Sequence, residues 1–244
     1  MRNIKLVIEY DGTNYNGWQV QKGVRTIEGV IEETLEKILK EKVNITGSGR
    51  TDSGVHALGQ VANFKTETKM STQEILNALN SMLPQDIVVI DVDEVDDKFN
   101  ARISAKTKHY RYVINNSKLP SALNADREYH YKYFLDVEMM KLAAQDLIGE
   151  HDFKAFMSSG SSVENTVRTI YDVRVNTLNG RIIIDVIGNG FLYNMVRIIV
   201  GTLLDIGNGR LDVCNIKNML LTGDRNLGGK TVPSHGLYLA QVEY

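Results

Sequence analysis

A glycine-rich segment, residues 47–54, contains the side chains whose types best suit chemistry. Its centre reads Arg50-Thr51-Asp52, with a basic and an acidic residue two positions apart. An arginine beside an aspartate lowers the carboxyl pKa by roughly 1–3 units, which keeps the carboxylate available as a nucleophile. Asp52 is therefore the best single nucleophile candidate. A plain turn is the alternative, because Asp, Ser and Gly favour turns on their own account.

A basic and aromatic stretch, residues 101–112 (ARISAKTKHYRY), is the second candidate. Cations of this kind contact phosphates, and rings interleaved with them stack on an extruded base. In a strand, Tyr110 and Tyr112 point to one face, while His109 and Arg111 point to the other. The alternative is a half-buried strand with a solvated charged face.

Arg197 is the third candidate, because it lies in an otherwise apolar run, MVRIIV (195–200). A guanidinium removed from water requires a carboxylate or phosphate partner. An ion pair inside the core is one interpretation. The other is a pairing with a functional carboxylate such as Asp52.

Two further segments give weaker signals. YDGT (10–13) with GWQ (17–19) places an exposed-looking aromatic ring and amides in one loop. Such loops often contact ligands, but a hairpin requires the same residues. His151 and Asp152 could form a catalytic pair, yet side chains at adjacent positions seldom point together.

The elements that position these residues follow from hydrophobic periodicity. Strands are expected at 3–10, 59–68, 87–95, 107–115, 170–177, 181–187 and 237–244, with a β-branched run at 43–46. Helices are expected at 26–42, after the Ser71/Glu74 capping box as far as Pro84, and at 136–148, 191–206 and 213–221. Asn179-Gly180 predicts a hairpin turn, and Gly149 a helix C-cap.

Strands interleaved with helices predict an α/β or α+β fold with helices packed on a sheet. Two halves of similar pattern, residues 1–105 and 106–244, suggest a duplicated unit.

Composition excludes several classes of protein. The chain has 244 residues, of which 43% are hydrophobic and 24% charged, so it can form a sizeable core and is not disordered. A formal charge of -2 argues against a generally basic nucleic-acid binder, although it permits a local basic face. One cysteine, Cys214, and five scattered histidines cannot form a disulfide scaffold or a structural zinc site.

No membrane association is expected. The most apolar long stretch, residues 191–206, contains Arg197 and Asp205 and is too short for a membrane span. The chain opens with a strand-like segment and no apolar signal-peptide core, so the expected location is the cytoplasm.

Together, these motifs resemble the tRNA pseudouridine synthase A family. The resemblance rests on YDGTNYNGWQVQ (10–21), GSGRTDSGVHALGQVANF (47–64), FNARISAKTKHYRYVI (99–114), HDFKAF (151–156), GNGFLYNMVRIIVGTLL (188–204) and PSHGLYL (233–239). It spans essentially the whole chain, and GRTDSGVHA is highly specific.

The resemblance implies a homodimeric enzyme that isomerises uridine to pseudouridine in the anticodon arm of tRNA, at tRNA positions 38, 39 and 40. It implies an α+β pseudouridine-synthase fold with two similar halves in a continuous, mixed, largely antiparallel sheet flanked by helices. The family's nucleophile falls on Asp52 and its base-contacting tyrosine on Tyr110, while Arg50 and Arg197 match its substrate-binding arginines. Neither a metal nor a cofactor is implied.

Three other functions compete with this interpretation. A paralogue would modify another uridine or another RNA, and a non-catalytic RNA-binding protein would not need Asp52 beside Arg50. A small-molecule lyase or hydrolase would leave the basic, aromatic stretch without a role. Binding of tRNA, and chemical change in the bound tRNA, separate these possibilities.

Overall fold

A computed structural model describes residues 1–160 and 163–244. The strands are β1 (Arg2–Tyr10), β2 (Thr46–Gly47), β3 (His56–Thr66), β4 (Ile87–Val95), β5 (Thr107–Asn115), β6 (Tyr129–His130), β7 (Gly149–Asp152), β8 (Val167–Leu178), β9 (Arg181–Gly188) and β10 (Leu237–Glu243). The α-helices are α1 (Ile27–Leu39), α2 (Thr72–Met82), α3 (Val137–Ala144), α4 (Met195–Gly207) and α5 (Asn215–Thr222). Single turns of 3-10 helix lie at Gln145–Leu147, Lys154–Phe156, Arg225–Leu227 and Ser234–Gly236.

These elements form two compact units, one of residues 1–106 with 238–244 and the other of residues 107–237. The expected halves, 1–105 and 106–244, differ from these units at the C-terminal strand. β10 belongs to the first unit because it pairs in parallel with β3. In the parts of the chain that the structure describes, no helix combines the length and apolar character needed to cross a membrane.

The sheet of the first unit has the strand order β4-β1-β3-β10, and β2 pairs with β3. β1 is antiparallel to both of its neighbours. Thr26 caps the N-terminus of helix α1, and its side chain accepts a hydrogen bond from the Gly29 amide. At the other end, Lys40 caps the helix in the left-handed conformation. Helix α2 begins with the capping box expected at Ser71 and Glu74, and it packs against β4.

The sheet of the second unit has the strand order β5-β9-β8-β7, and β6 pairs with β5. β8 and β9 form a hairpin through Asn179 and Gly180, both at positive φ (49° and 74°), as that dipeptide predicts. Helix α3 packs against β8 and α4. Helix α4 is buried almost all round, and Arg197 and Asp205 are its two residues that are not buried.

The α+β class is confirmed, since each unit has a mixed, largely antiparallel sheet with helices packed against it. Three local predictions were wrong. The helix expected from 191 begins at Met195, because Asn194 has a φ of 59°. The helix expected over 136–148 ends in a 3-10 turn, and Gly149 begins β7 rather than capping a helix. The short strands β6 and β7 were not expected.

Candidate active site

The predicted nucleophile lies on the loop that joins β2 to β3. Asp52 is half-buried, and the adjacent Ser53 is exposed. The Val55 amide donates to the Asp52 carbonyl at 3.1 Å, and Gly54 has a φ of 74°, so the chain turns tightly after the aspartate. The structure therefore presents Asp52 on a tight loop between strands, as the sequence predicts.

The segment that follows β1 holds this aspartate loop in place through hydrogen bonds. The Trp18 amide donates to the Thr51 carbonyl at 3.0 Å, and the Gly54 amide donates to the Tyr15 carbonyl at 3.3 Å. The hydroxyl groups of Tyr10 and Thr51 are 2.8 Å apart in a buried hydrogen bond. The backbone on both sides of Asp52 is thus fixed by residues 10–18.

Two glycines permit this close approach. A Cβ atom on Gly17 would lie 2.4 Å from the Thr51 carbonyl oxygen, and Gly17 has a φ of +82°. A Cβ atom on Gly47 would lie 2.5 Å from the Trp18 ring nitrogen. Any other residue at these positions would push the aspartate loop and the segment apart, because contacts this short do not occur between real atoms.

The aromatic residues of residues 10–18 support the loop from inside the core. Tyr10 is 3% exposed and Trp18 is fully buried, so the expectation of an exposed ring in this loop was wrong. Their ring centroids are 6.1 Å apart. Burial raises the pKa of the Tyr10 phenol well above its usual value, so this hydroxyl stays protonated and can donate to Thr51.

Two buried polar side chains of β3 stabilise the base of the site. The Gln60 amide nitrogen donates to the Gly49 carbonyl at 3.0 Å. His56 Nδ1 accepts from the Gly12 amide at 3.1 Å, and the His56 ring stacks on Tyr238 with centroids 4.9 Å apart. The sequence reasoning missed Gln60 and His56 as supports, although both lie in the motif 47–64.

Arg50 is exposed on the same loop as Asp52. Its Nε donates to Gln19 Oε1 at 3.0 Å, and Gln19 Nε2 donates to Glu28 Oε2 at 2.7 Å. The expected effect of Arg50 on the pKa of the Asp52 carboxyl stays a prediction.

Tyr110 lies on β5 in the second unit. It is 8% exposed, and Tyr112, two positions further, is fully buried. The Tyr110 ring meets Phe191 edge-on, with centroids 5.0 Å apart and planes at 80°. Tyr110 and Tyr112 thus lie on the same, buried face of β5, as expected from the alternation of side chains along a strand.

The opposite face of β5 contains an ion-pair network. Asp185 of β9 lies directly across from Arg111, which donates to it through Nε at 2.8 Å. His109 Nε2 lies 2.7 Å from the same carboxylate oxygen. Burial alone would raise the Asp185 carboxyl pKa, but the hydrogen bonds from His109 and Arg111 outweigh it and hold the pKa below its usual value. Part of the positive charge expected to contact phosphates is therefore neutralised within the protein.

Arg197 is half-buried near the start of α4. Its Nε donates to the Val232 carbonyl at 2.8 Å, and its Nη1 donates to Asn194 Oδ1 at 2.6 Å. These contacts fix the direction of the guanidinium. Asp52 belongs to the first unit, whereas Arg197 and Tyr110 belong to the second, so a pairing of Asp52 with Arg197 stays a prediction.

Among the described residues, no three His, Cys, Asp or Glu side chains are arranged to hold a metal ion.

Comparison with known proteins places the chain in a family. The model of the family described as tRNA pseudouridine synthase matches residues 6–103 and 143–244. Proteins named tRNA pseudouridine synthase A are similar along 100% of both chains, with 50% identity in Acetivibrio thermocellus and 51% in Caldicellulosiruptor saccharolyticus. A protein named tRNA pseudouridine synthase A 2, from Clostridium perfringens, is 50% identical over the same full length.

Among solved structures, one chain of "Crystal Structure of a Cbf5-Nop10-Gar1 Complex" is 15% identical, with a TM-score of 0.33 over 82% of this chain and 54% of that chain. A similarity this weak supports no conclusion about function. The family model and the full-length relatives decide the assignment, and the chain belongs to the tRNA pseudouridine synthase A family.

Proposed function

We propose that this protein isomerises uridine to pseudouridine in the anticodon stem-loop of tRNA, at tRNA positions 38, 39 and 40. Membership of the tRNA pseudouridine synthase A family supports this function. The observation that carries it is the aspartate loop, in which one carboxylate stands on a backbone fixed by residues 10–18. A backbone held in this way can place one carboxylate accurately, as catalysis by a single nucleophile requires.

In the proposed mechanism, the target nucleotide first leaves the stacked arm, at a cost of a few kcal/mol. The Asp52 carboxylate then attacks the nucleoside, either at C1′ of the ribose or at C6 of the uracil. The bond between N1 and C1′ breaks, the uracil rotates, and a bond forms between C5 and C1′. The bond between Asp52 and the substrate breaks as well, which restores the carboxylate. The C5 proton leaves and N1 gains one, so that the product is an isomer of the substrate and the reaction requires no redox cofactor.

Tyr110 is proposed to stack on the extruded uracil and to take part in removal of the C5 proton. Its ring has a fixed orientation because Phe191 packs against it edge-on. A ring held in this way loses little conformational freedom when a base stacks on it.

Arg50 and Arg197 are proposed to bind the substrate. Arg50 is exposed two positions before Asp52, where a guanidinium can contact the RNA beside the target nucleotide. Arg197 donates to the Val232 carbonyl and to Asn194 Oδ1, which fix the direction of its guanidinium. Its positive charge is proposed to act on the substrate or on the Asp52 carboxylate.

We further propose that the enzyme acts as a homodimer in the cytoplasm, with tRNA as its partner and no membrane association. A chain of net charge -2 requires a local basic surface to bind tRNA, and a two-fold assembly can form one from two copies.

The test uses tRNA transcribed with tritium at C5 of uridine, from which isomerisation releases the label. Wild type should release it, and Asp52→Ala should release none above background while still binding tRNA. Asp91→Ala, which removes an exposed aspartate of β4 in the same unit, is the matched control and should retain full activity. Turnover by Asp52→Ala would remove Asp52 as the nucleophile. Binding without release by the wild type would favour a non-catalytic RNA-binding protein.

Tyr110→Phe separates the two proposed roles of the tyrosine. The variant retains the ring that stacks but has no hydroxyl, so a hydroxyl-dependent step should slow while tRNA affinity stays unchanged. Near-normal turnover would confine Tyr110 to stacking.

A further inference from the structure

The first unit contains a cavity of about 390 Å³, which the proposed reaction does not use. It lies between the connection from α1 to β2, the end of β3, and the turn at residues 97–100. Asn63, in its wall, follows His56 by seven positions on β3 and lies about 23 Å further along the strand. Tyr10, Tyr15 and Trp18, which hold the aspartate loop, do not line this cavity.

Three lysines line the cavity, namely Lys42, Lys65 and Lys98, and they define what we call the lysine cleft. Asp97 is the one carboxylate in the lining, and Lys65 hydrogen-bonds to it. Lys42 and Lys98 are exposed, and across the described residues neither side chain has an ion pair or a hydrogen bond, although Lys42 attracts the Glu32 carboxylate electrostatically. The cleft thus has two surplus positive charges in a chain whose net charge is -2.

Polar side chains add hydrogen-bonding capacity to this charge. Asn44 and Thr46 line the same cavity. In the part of the chain that the structure describes, their side chains make no hydrogen bonds to protein. The Asn44 amide, the Thr46 hydroxyl and the two ammonium groups can all donate hydrogen bonds to phosphate and ribose oxygens.

The far wall of the cleft is rigid because buried amide side chains hold it. Asn3 Nδ2 donates to the Phe99 carbonyl at 3.0 Å and to the Asp96 carbonyl at 2.8 Å. Asn63 Oδ1 accepts from the Ala101 amide at 2.8 Å. The turn that carries Lys98 is therefore formed before any ligand arrives, which lowers the entropic cost of binding.

We propose that the lysine cleft binds the sugar-phosphate backbone of the RNA substrate, at a nucleotide other than the one that is isomerised. This inference rests on the proposed function for the identity of the RNA. Exposed lysines neutralise phosphates without regard to base, which suits an enzyme that accepts more than one position. The contact extends the bound RNA along β3, away from Asp52.

The test compares two double variants with the same change in charge. Lys42→Glu/Lys98→Glu alters the cleft, and Lys37→Glu/Lys217→Glu alters exposed helix lysines outside its lining. Binding of unmodified tRNA is measured at salt concentrations from about 50 to 200 mM. The cleft variant should bind tRNA roughly tenfold or more weakly than the wild type. The slope of log binding constant against log salt concentration should become less steep by about 2. The control should match the wild type.

Turnover adds a second readout, because neither Asp52 nor the residues that hold its loop line the cleft. The cleft variant should show a raised KM for tRNA with kcat unchanged at saturation. Equal affinity and slope in the cleft and control variants would overturn the proposal. The proposal would also be overturned if the cleft variant lost binding of inorganic phosphate but still bound tRNA as the wild type does. The cleft would then be a small-anion site. If the wild type binds tRNA with this lysine dependence but releases no tritium, the proposed function fails and the RNA-binding cleft stands.

Discussion

The contact between Gly17 and the aspartate loop gives the sharpest test of how the scaffold positions Asp52. In Gly17→Ala, the new methyl carbon would lie 2.4 Å from the Thr51 carbonyl oxygen and 3.0 Å from the Asp52 carbonyl carbon. Both atoms are backbone, so no side-chain rotation can relieve the clash. The aspartate loop itself must move.

The size of the effect follows from these distances. An ordinary contact begins at 3.4 Å, so the Thr51 carbonyl has to retreat by about 1 Å. A displacement of about 1 Å at a catalytic group can cost about 100-fold in rate, which is about 2.7 kcal/mol of activation free energy. The positive φ separately strains any residue with a side chain, at about 1–3 kcal/mol of folding stability.

Gly23→Ala is the matched control, because it separates backbone strain from the clash. Gly23 has a φ of +80°, almost the same as Gly17, but a Cβ atom there meets nothing within 4 Å. This variant should lose stability of about 1 kcal/mol and retain full turnover.

Tritium release under saturating tRNA is the assay, with thermal unfolding as the check on folding. Gly17→Ala should fold, bind tRNA within about threefold of the wild type, and turn over about 100-fold more slowly. A folded Gly17→Ala variant with wild-type kcat would refute the idea that this contact positions the nucleophile. Equal losses of turnover in both variants would assign the effect to backbone strain.

Three further predictions concern stability. Asp185→Asn should lower the free energy of unfolding at neutral pH by about 1.5–3 kcal/mol, because the hydrogen bonds from His109 and Arg111 to a charged acceptor weaken. The pKa of the Asp185 carboxyl in the folded protein lies below its usual value, so this stabilisation is present above about pH 4 and is lost as the pH falls through the folded pKa. The free energies of unfolding of variant and wild type, measured by urea titration, should therefore converge in acid. Gly201→Ala should cost at least about 1–3 kcal/mol, measured by urea unfolding, because its methyl carbon would lie 1.7 Å from a backbone carbonyl oxygen. Ser71→Ala should cost about 1 kcal/mol in thermal unfolding through loss of the α2 cap, and an unchanged Tm would contradict that role.

Local patterns predicted the regular elements well. The bounds of β4 and β5 match the expected strands, because their apolar and polar residues alternate and short polar segments flank them. The capping box of α2 and the hairpin at Asn179 and Gly180 were also correct, since each depends on side-chain or φ preferences of a few consecutive residues.

Features that depend on distant partners could not be predicted from such patterns. Asp185 is 74 positions from Arg111, so nothing in the basic stretch indicated that a carboxylate would neutralise it. Trp18 looked exposed because glycine and polar residues surround it in sequence. It is buried because Gly47, in a different segment, leaves room for its ring.

The motif at residues 10–18 shows why a sequence signature can be specific without touching the substrate. Tyr10 and Trp18 are buried, and Gly17 sits where no larger residue fits, so each is constrained by the aspartate loop rather than by a ligand. One carboxylate supplies the proposed chemistry, but holding it to within about 1 Å requires hydrogen bonds and close packing on both sides of its backbone. Substitutions in this segment are therefore expected to lower kcat more than they weaken tRNA binding, whereas substitutions in the lysine cleft should do the reverse.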